Sequence, residues 1–199
     1  MSARIILASA SQTRRGLLAR AGLQVEAVAP SVDEQEMKAA FQAEQAPVEA
    51  CAEALAELKA MRVSQRHPGD LVIGADQMLE CNGVWFDKPA DADHARAHLQ
   101  ALRGRPHRLA TAAVVALNGS RIWGTVEMAR LTMRPFSDSF LDRYLSEAGP
   151  AVLGSVGAYQ LEGLGAQLFA KIEGDFFTIL GLPLLPLLGF LRDHGSLPA

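Results

Sequence analysis

Cysteine is scarce in these 199 residues: Cys51 and Cys81 stand far apart and form no Cys-x-x-Cys. That excludes a disulfide framework or a zinc site built on thiolates, and it suits a reducing cytosol. Positive charge is also short, with 19 Lys and Arg against 22 Asp and Glu and a net charge of −3. Nucleic-acid binding gains affinity when a basic surface displaces counterions, and this chain has no overall excess of cations to do so. Aromatic residues make up only 6%, too few for a stacking platform. Long hydrophobic runs are missing as well. The longest, Ile179 to Leu191, is broken by Gly181, Pro183, Pro186 and Gly189 and falls short of the roughly 20 residues that span a bilayer, so it reads as core and no membrane contact is expected. Gly163-Leu164-Gly165 does not complete Gly-x-Gly-x-x-Gly, and no Gly-x-x-x-x-Gly-Lys-Ser/Thr occurs, which removes the dinucleotide and P-loop fingerprints. There is no internal repeat.

What is present is the balance of a globular protein, 49% hydrophobic and 21% charged, at a length suited to one domain over 1–199. The opening MSARIILASA holds an apolar run too brief for a secretion signal and reads as a first strand over Arg4 to Ala8. Ser9-Ala10-Ser11-Gln12-Thr13 turns the chain, and Arg14 to Ala21 reads as a helix closed by Gly22. Arg14 and Arg15 in its first turn oppose the helix dipole unless an anion meets them. Ser11 therefore either caps the helix or joins Arg14 in a phosphate site.

Gln24 to Ala29 reads as a second strand, and Asp33-Glu34-Gln35-Glu36 as either a solvated helix start or a set of donors for a hard divalent ion. A helix from Pro47 to about Val63 carries Lys59, and an isolated helical lysine is ordinarily exposed. The stretch Leu71-Val72-Ile73-Gly74-Ala75-Asp76-Gln77 reads as a buried strand that stops on an acid and an amide, which is how a strand end delivers a carboxylate to a ligand. Asn82-Gly83 predicts a hairpin between Met78–Cys81 and Val84–Phe86. Asp91 to Arg103 is helical, with His94 and His98 on one face reading as solvated rather than as metal ligands. Two long strands, His107–Leu117 and Ser120–Met133, meet at Asn118-Gly119, and Ser137 to Ser146 is a helix with a Ser cap. Glu162 lies in the Gly-rich line from Gly154 to Leu168, either as an edge residue or as an acid that reads a base.

Five motifs in order resemble the Maf family of nucleoside triphosphate pyrophosphatases over nearly the whole chain. They are Leu7-Ala8-Ser9-Ala10-Ser11 with Arg14, Ile73-Gly74-Ala75-Asp76, Lys88-Pro89, Leu102-Arg103-Gly104-Arg105-Pro106-His107, and Gly157-Ala158-Tyr159 with Glu173-Gly174-Asp175 and Gly181-Leu182-Pro183. The resemblance implies an α/β fold of the Maf/inosine-triphosphatase kind: an elongated mixed β-sheet flanked by helices, with two lobes and a deep cleft. It implies a cytoplasmic, often homodimeric hydrolase that turns modified nucleoside triphosphates into monophosphate and pyrophosphate, in a house-cleaning role. The resemblance further implies that Ser11 and Arg14 bind phosphate, that Glu34 and Asp76 hold Mg²⁺ or Mn²⁺, that Lys59 and Lys88 neutralise the polyphosphate, and that Asp76 is the general base.

Three departures from the common pattern, Thr13, Gln77 and Glu162, fall at substrate-binding positions where the family's branches differ. They resemble the methylguanosine/cytidine branch, whereas Tyr159 and its neighbours keep the form of the thymidine/uridine branch. The rival function is a nucleotide-binding regulator of cell division without turnover.

Overall fold

The computed structural model describes residues 4–198; residues 1–3 and 199, the ends of the 1–199 span, lie outside it. Seven strands form one mixed sheet in the order β2-β1-β3-β5-β6-β7, with β4 paired to β3. Strand β1 (Ile5–Ala8) runs parallel to both β2 (Glu26–Ala27) and β3 (Leu71–Cys81), while β4 (Val84–Phe86) returns antiparallel on β3. The long β5 (Pro106–Leu117) and β6 (Ser120–Met133) are followed by β7 (Phe169–Glu173), antiparallel to β6. The chain divides into two compact units, one from the described parts of 1–77, 110–127 and 176–199, the other from 78–109 and 128–175.

In the first unit, alternation along the strands commits opposite residues to opposite faces. Leu71, Ile73 and Ala75 pack with Leu7 against Leu17 and Leu18 of α1 (Gln12–Arg20) and Leu184, Leu187 and Leu191 of α7 (Leu184–Asp193). Ile6, Ala8 and Val72 meet Val63 of α3 (Val48–Ser64) on the other face. Helix α2 (Glu34–Ala43), capped by Asp33, packs on α3. Thus the acidic turn opens a helix, where Glu34 and Glu36 in the first turn complement its dipole.

The approach of α3 to β3 has an identifiable cause. Gly74 faces α3, and a Cβ there would lie 2.2 Å from the Ala56 carbonyl oxygen and 2.8 Å from Ala60 Cβ. A glycine on the strand and alanines at 56 and 60, one helical turn apart, let helix and sheet backbones nearly touch.

In the second unit, α4 (Ala92–Leu102), α5 (Asp138–Ala148) and a series of 3-10 turns from Gly149 to Leu168 pack around His107, Tyr144 and Tyr159. The two Asn-Gly turns have the expected positive φ angles, 52° and 81° at Asn82 and Gly83, 52° and 73° at Asn118 and Gly119. Ser137 caps α5 as its sequence predicts. His94 Nδ1 sits 2.8 Å from Asp91, and the His98 ring meets Phe86 edge-on. Both cysteines are buried and neither is in a disulfide.

Three expectations change. The strand does not stop at Asp76-Gln77 but joins the expected hairpin strand Met78–Cys81 into one β3, because both polar side chains find partners within the protein. The second strand shrinks to Glu26–Ala27, its residues exposed at a sheet edge. Lys59 is buried rather than solvated, at 5% exposure, since its helix lies so close to the sheet.

Candidate active site

Parallel pairing of β1 with β3 puts Ala8 opposite Gly74, so the chain leaving β1 turns beside Ala75 and Asp76. There Ser11 caps α1, its side chain accepting from the Arg14 N–H at 3.3 Å. Buried Ser9, two residues earlier, accepts from Ser11 N–H at 3.2 Å and from Arg14 Nη1 at 3.3 Å. Arg14 Nε donates to the Gly181 carbonyl at 2.7 Å. The guanidinium plane is therefore set by two bonds to the protein. Burial pulls the Arg14 pKa below its ordinary value, against the opposing attraction of Asp76 and Glu34. Thr13 lies half-buried beside Arg14 on α1.

Strand alternation sends Asp76 toward α3, where Gly74 has brought the helix close. Lys59 Nζ bridges two acids there, 2.5 Å from Asp76 Oδ1 and 2.7 Å from Glu34 Oε1. Lys38 stands 3.9 Å from the other oxygen of Glu34. Asp76 is 5% exposed, and an ammonium between two carboxylates offsets the cost of holding such charge away from water.

Gln77 points to the opposite face. Its Nε2 donates to Thr111 Oγ1 at 2.9 Å and lies 3.0 and 3.1 Å from the carbonyls of Thr178 and Ile179. The two adjacent candidates on β3 thus serve different faces of the sheet. Lys88, exposed in the loop after β4, and Glu162, exposed in a turn before the 3-10 segment 164–168, both belong to the second unit.

The first unit therefore gathers Ser11, Thr13, Arg14, Glu34, Lys59, Asp76 and Gln77, and adds Thr111 together with Ser9 and Gly181, which the sequence marks only as motif members without a site role. A polar residue in the apolar line Leu109 to Leu117 was the visible sign of Thr111. Nothing local marked Gly181 as the acceptor for an arginine so distant in the chain. Among the described residues no group of three or more His, Cys, Asp and Glu is placed to hold a metal, and no helix is long and apolar enough to cross a membrane.

A family model described as Maf-like protein matches residues 4–194. A nucleoside triphosphate pyrophosphatase of Paramagnetospirillum magneticum is 58% identical over 192 residues, covering 96% of this chain and 99% of its own. One of the same name from Granulibacter bethesdensis is 55% identical, covering 98% of each chain. A 7-methyl-GTP pyrophosphatase of Mesorhizobium japonicum is 51% identical across 99% of each.

Proposed function

The chain belongs to the Maf-like protein family, and from that premise we propose that it is a nucleoside triphosphate pyrophosphatase, hydrolysing modified nucleotides to monophosphate and pyrophosphate. The observation that carries the proposal is the pairing, in one unit, of an arginine held ready for phosphate with a buried carboxylate oriented by a lysine. Asp76 Oδ1 accepts from Lys59, so Oδ2 is the oxygen that takes a proton from water. The water oxygen then bonds to the α-phosphorus, the bond from that phosphorus to the bridging oxygen breaks, and pyrophosphate leaves with the electron pair. Arg14 and Ser11 hold the phosphate chain, and the Lys59 cation offsets charge growing on its oxygens. Lys88 and Glu162 enter this reading from the sequence resemblance alone, Lys88 as a polyphosphate cation and Glu162 as a substrate contact.

A divalent metal fits the donors present. Glu34 and Asp76 converge on one ammonium, so they already share a position that favours a cation. Mg²⁺ is commonly held by one or two carboxylates together with substrate phosphates, which matches two acids without a third. Such an ion, when bound, supplies charge stabilisation to the phosphoryl oxygens and lowers the pKa of bound water. The proposal also includes one Maf-like domain over 1–199, a cytoplasmic setting and a homodimer, each carried by the family resemblance.

The test is a panel of triphosphates, 7-methyl-GTP included, with Mg²⁺ or Mn²⁺. Pyrophosphate and monophosphate in equal amounts are expected. No product from any base would favour the nucleotide-binding regulator instead.

A further inference from the structure

We infer that Thr111 is a positioning residue for the phosphate grip: its hydroxyl, with Gln77, fixes the 178–181 backbone, whose Gly181 carbonyl aims Arg14. The inference rests on the phosphate-binding role proposed for Arg14. Gln77 Nε2 has two hydrogens and three neighbouring acceptors, Thr111 Oγ1 and the carbonyls of Thr178 and Ile179. The Thr111 hydroxyl accepts from that amide and passes its own hydrogen to the Thr178 carbonyl at 3.0 Å. Thr111 is wholly buried, so each of these bonds forms without competition from water.

Thr111 and Gln77 stand on neighbouring strands β5 and β3. Together they hold the short helix α6 (Phe176–Ile179) by its last carbonyls. The chain then turns through Gly181, at φ +104°, where the carbonyl oxygen meets Arg14 Nε. A Cβ on Gly181 would lie 3.6 Å from Arg14 Nε and 3.8 Å from Gln77 Oε1, so these two side chains and the turn form one contact set, which Thr111 joins through its bond with Gln77. A shift of the 178–181 segment must therefore move the anchor of the guanidinium. The Gln77 amide nitrogen serves this network, which assigns Gln77 to the same positioning task.

The experiment compares wild type with Thr111→Val and Thr111→Ser. Valine keeps the shape but puts a methyl where the hydroxyl stands 2.9–3.0 Å from two polar atoms, closer than the ~3.5 Å a carbon tolerates, so Gln77 and the Thr178 carbonyl must both move. Serine keeps the hydroxyl and loses only a buried methyl. A purely structural Thr111 lowers the thermal midpoint of either variant and leaves pyrophosphate affinity unchanged. The positioning role separates valine from serine in phosphate binding itself. Inorganic pyrophosphate affinity, measured by calorimetry, is expected to fall about tenfold in Thr111→Val and to stay within about twofold in Thr111→Ser, with KM for the triphosphate moving in parallel and kcat changing less. Equal pyrophosphate affinity in wild type and Thr111→Val, with only the thermal midpoint lowered, would overturn the inference, as would no pyrophosphate affinity in wild type. Because binding is read without turnover, a wild type that binds pyrophosphate but releases none from any triphosphate would defeat the proposed activity while the valine–serine comparison still decides the role of Thr111.

Discussion

Asp76 and Lys59 form the closest charged pair of the site, 2.5 Å apart and both nearly sealed from solvent. Replacing Asp76 by Asn keeps the shape and removes the proton acceptor. Turnover is expected to fall by about 10²- to 10⁴-fold while nucleotide binding survives, which steady-state kinetics and calorimetry on the same variant would establish. Near-normal turnover would remove Asp76 from the role of base. Lys59→Met has a different expected signature. It leaves Asp76 and Glu34 facing each other with no bridging ammonium, and breaking a buried pair from one side costs about 3 kcal/mol or more where both charges are sealed. Glu34, with its side chain 40% exposed, relieves part of that cost. A loss of roughly 2 kcal/mol, read from urea denaturation, is the expected result.

At the scale of elements, the decisive contact is α3 on β3. Gly74→Ala puts a methyl against the Ala56 carbonyl, a backbone atom that can yield only if the whole helix lifts. Overpacking of this kind costs about 1–3 kcal/mol, and the lifted helix takes Lys59 away from Asp76. Gly74→Ala should therefore lower both stability and kcat, although residue 74 is buried against α3; a folded variant with wild-type kcat would show that Lys59 does not depend on this approach. What the sequence reveals about elements follows the range of the forces involved. Turns at Asn82-Gly83 and Asn118-Gly119 and the Ser137 cap depend on residues a few places apart, and all were legible. The continuation of β3 through Asp76 and Gln77 was not, because the partners that make those polar residues tolerable lie 17, 34 and 101 residues away. The same distance hid the pleat's consequence, that Asp76 and Gln77 serve opposite faces. Ser11 and Arg14 were legible as neighbours on one turn, whereas the anchor of Arg14 at Gly181 needs the fold.

For the molecule as a whole, stability against acid should be governed in part by a group outside the first unit. His107, 2% exposed, lies 2.9 Å from the Tyr159 hydroxyl, and burial depresses its pKa from 6.5 to about 4. Burial likewise pushes the Tyr159 phenol well above its usual range, so both stay neutral at physiological pH. The unfolded chain takes up a proton on this histidine below pH 6.5, while the folded chain resists until about pH 4. Its contribution is thus complete above 6.5 and is lost as pH falls toward 4, a change on the order of 3 kcal/mol. Urea unfolding across this range should show the slope in wild type and a shallower one in His107→Gln; equal slopes would contradict it.

The site's chemistry also makes a claim about which bond breaks, and hydrolysis in ¹⁸O-enriched water reads it directly. With the wild-type protein, a divalent metal and a triphosphate that it accepts, a single turnover is expected to place the label in the nucleoside monophosphate and none in pyrophosphate. Label in pyrophosphate, or orthophosphate as the sole inorganic product, would contradict attack at the α-phosphorus and the reading of Asp76 as the base that directs it.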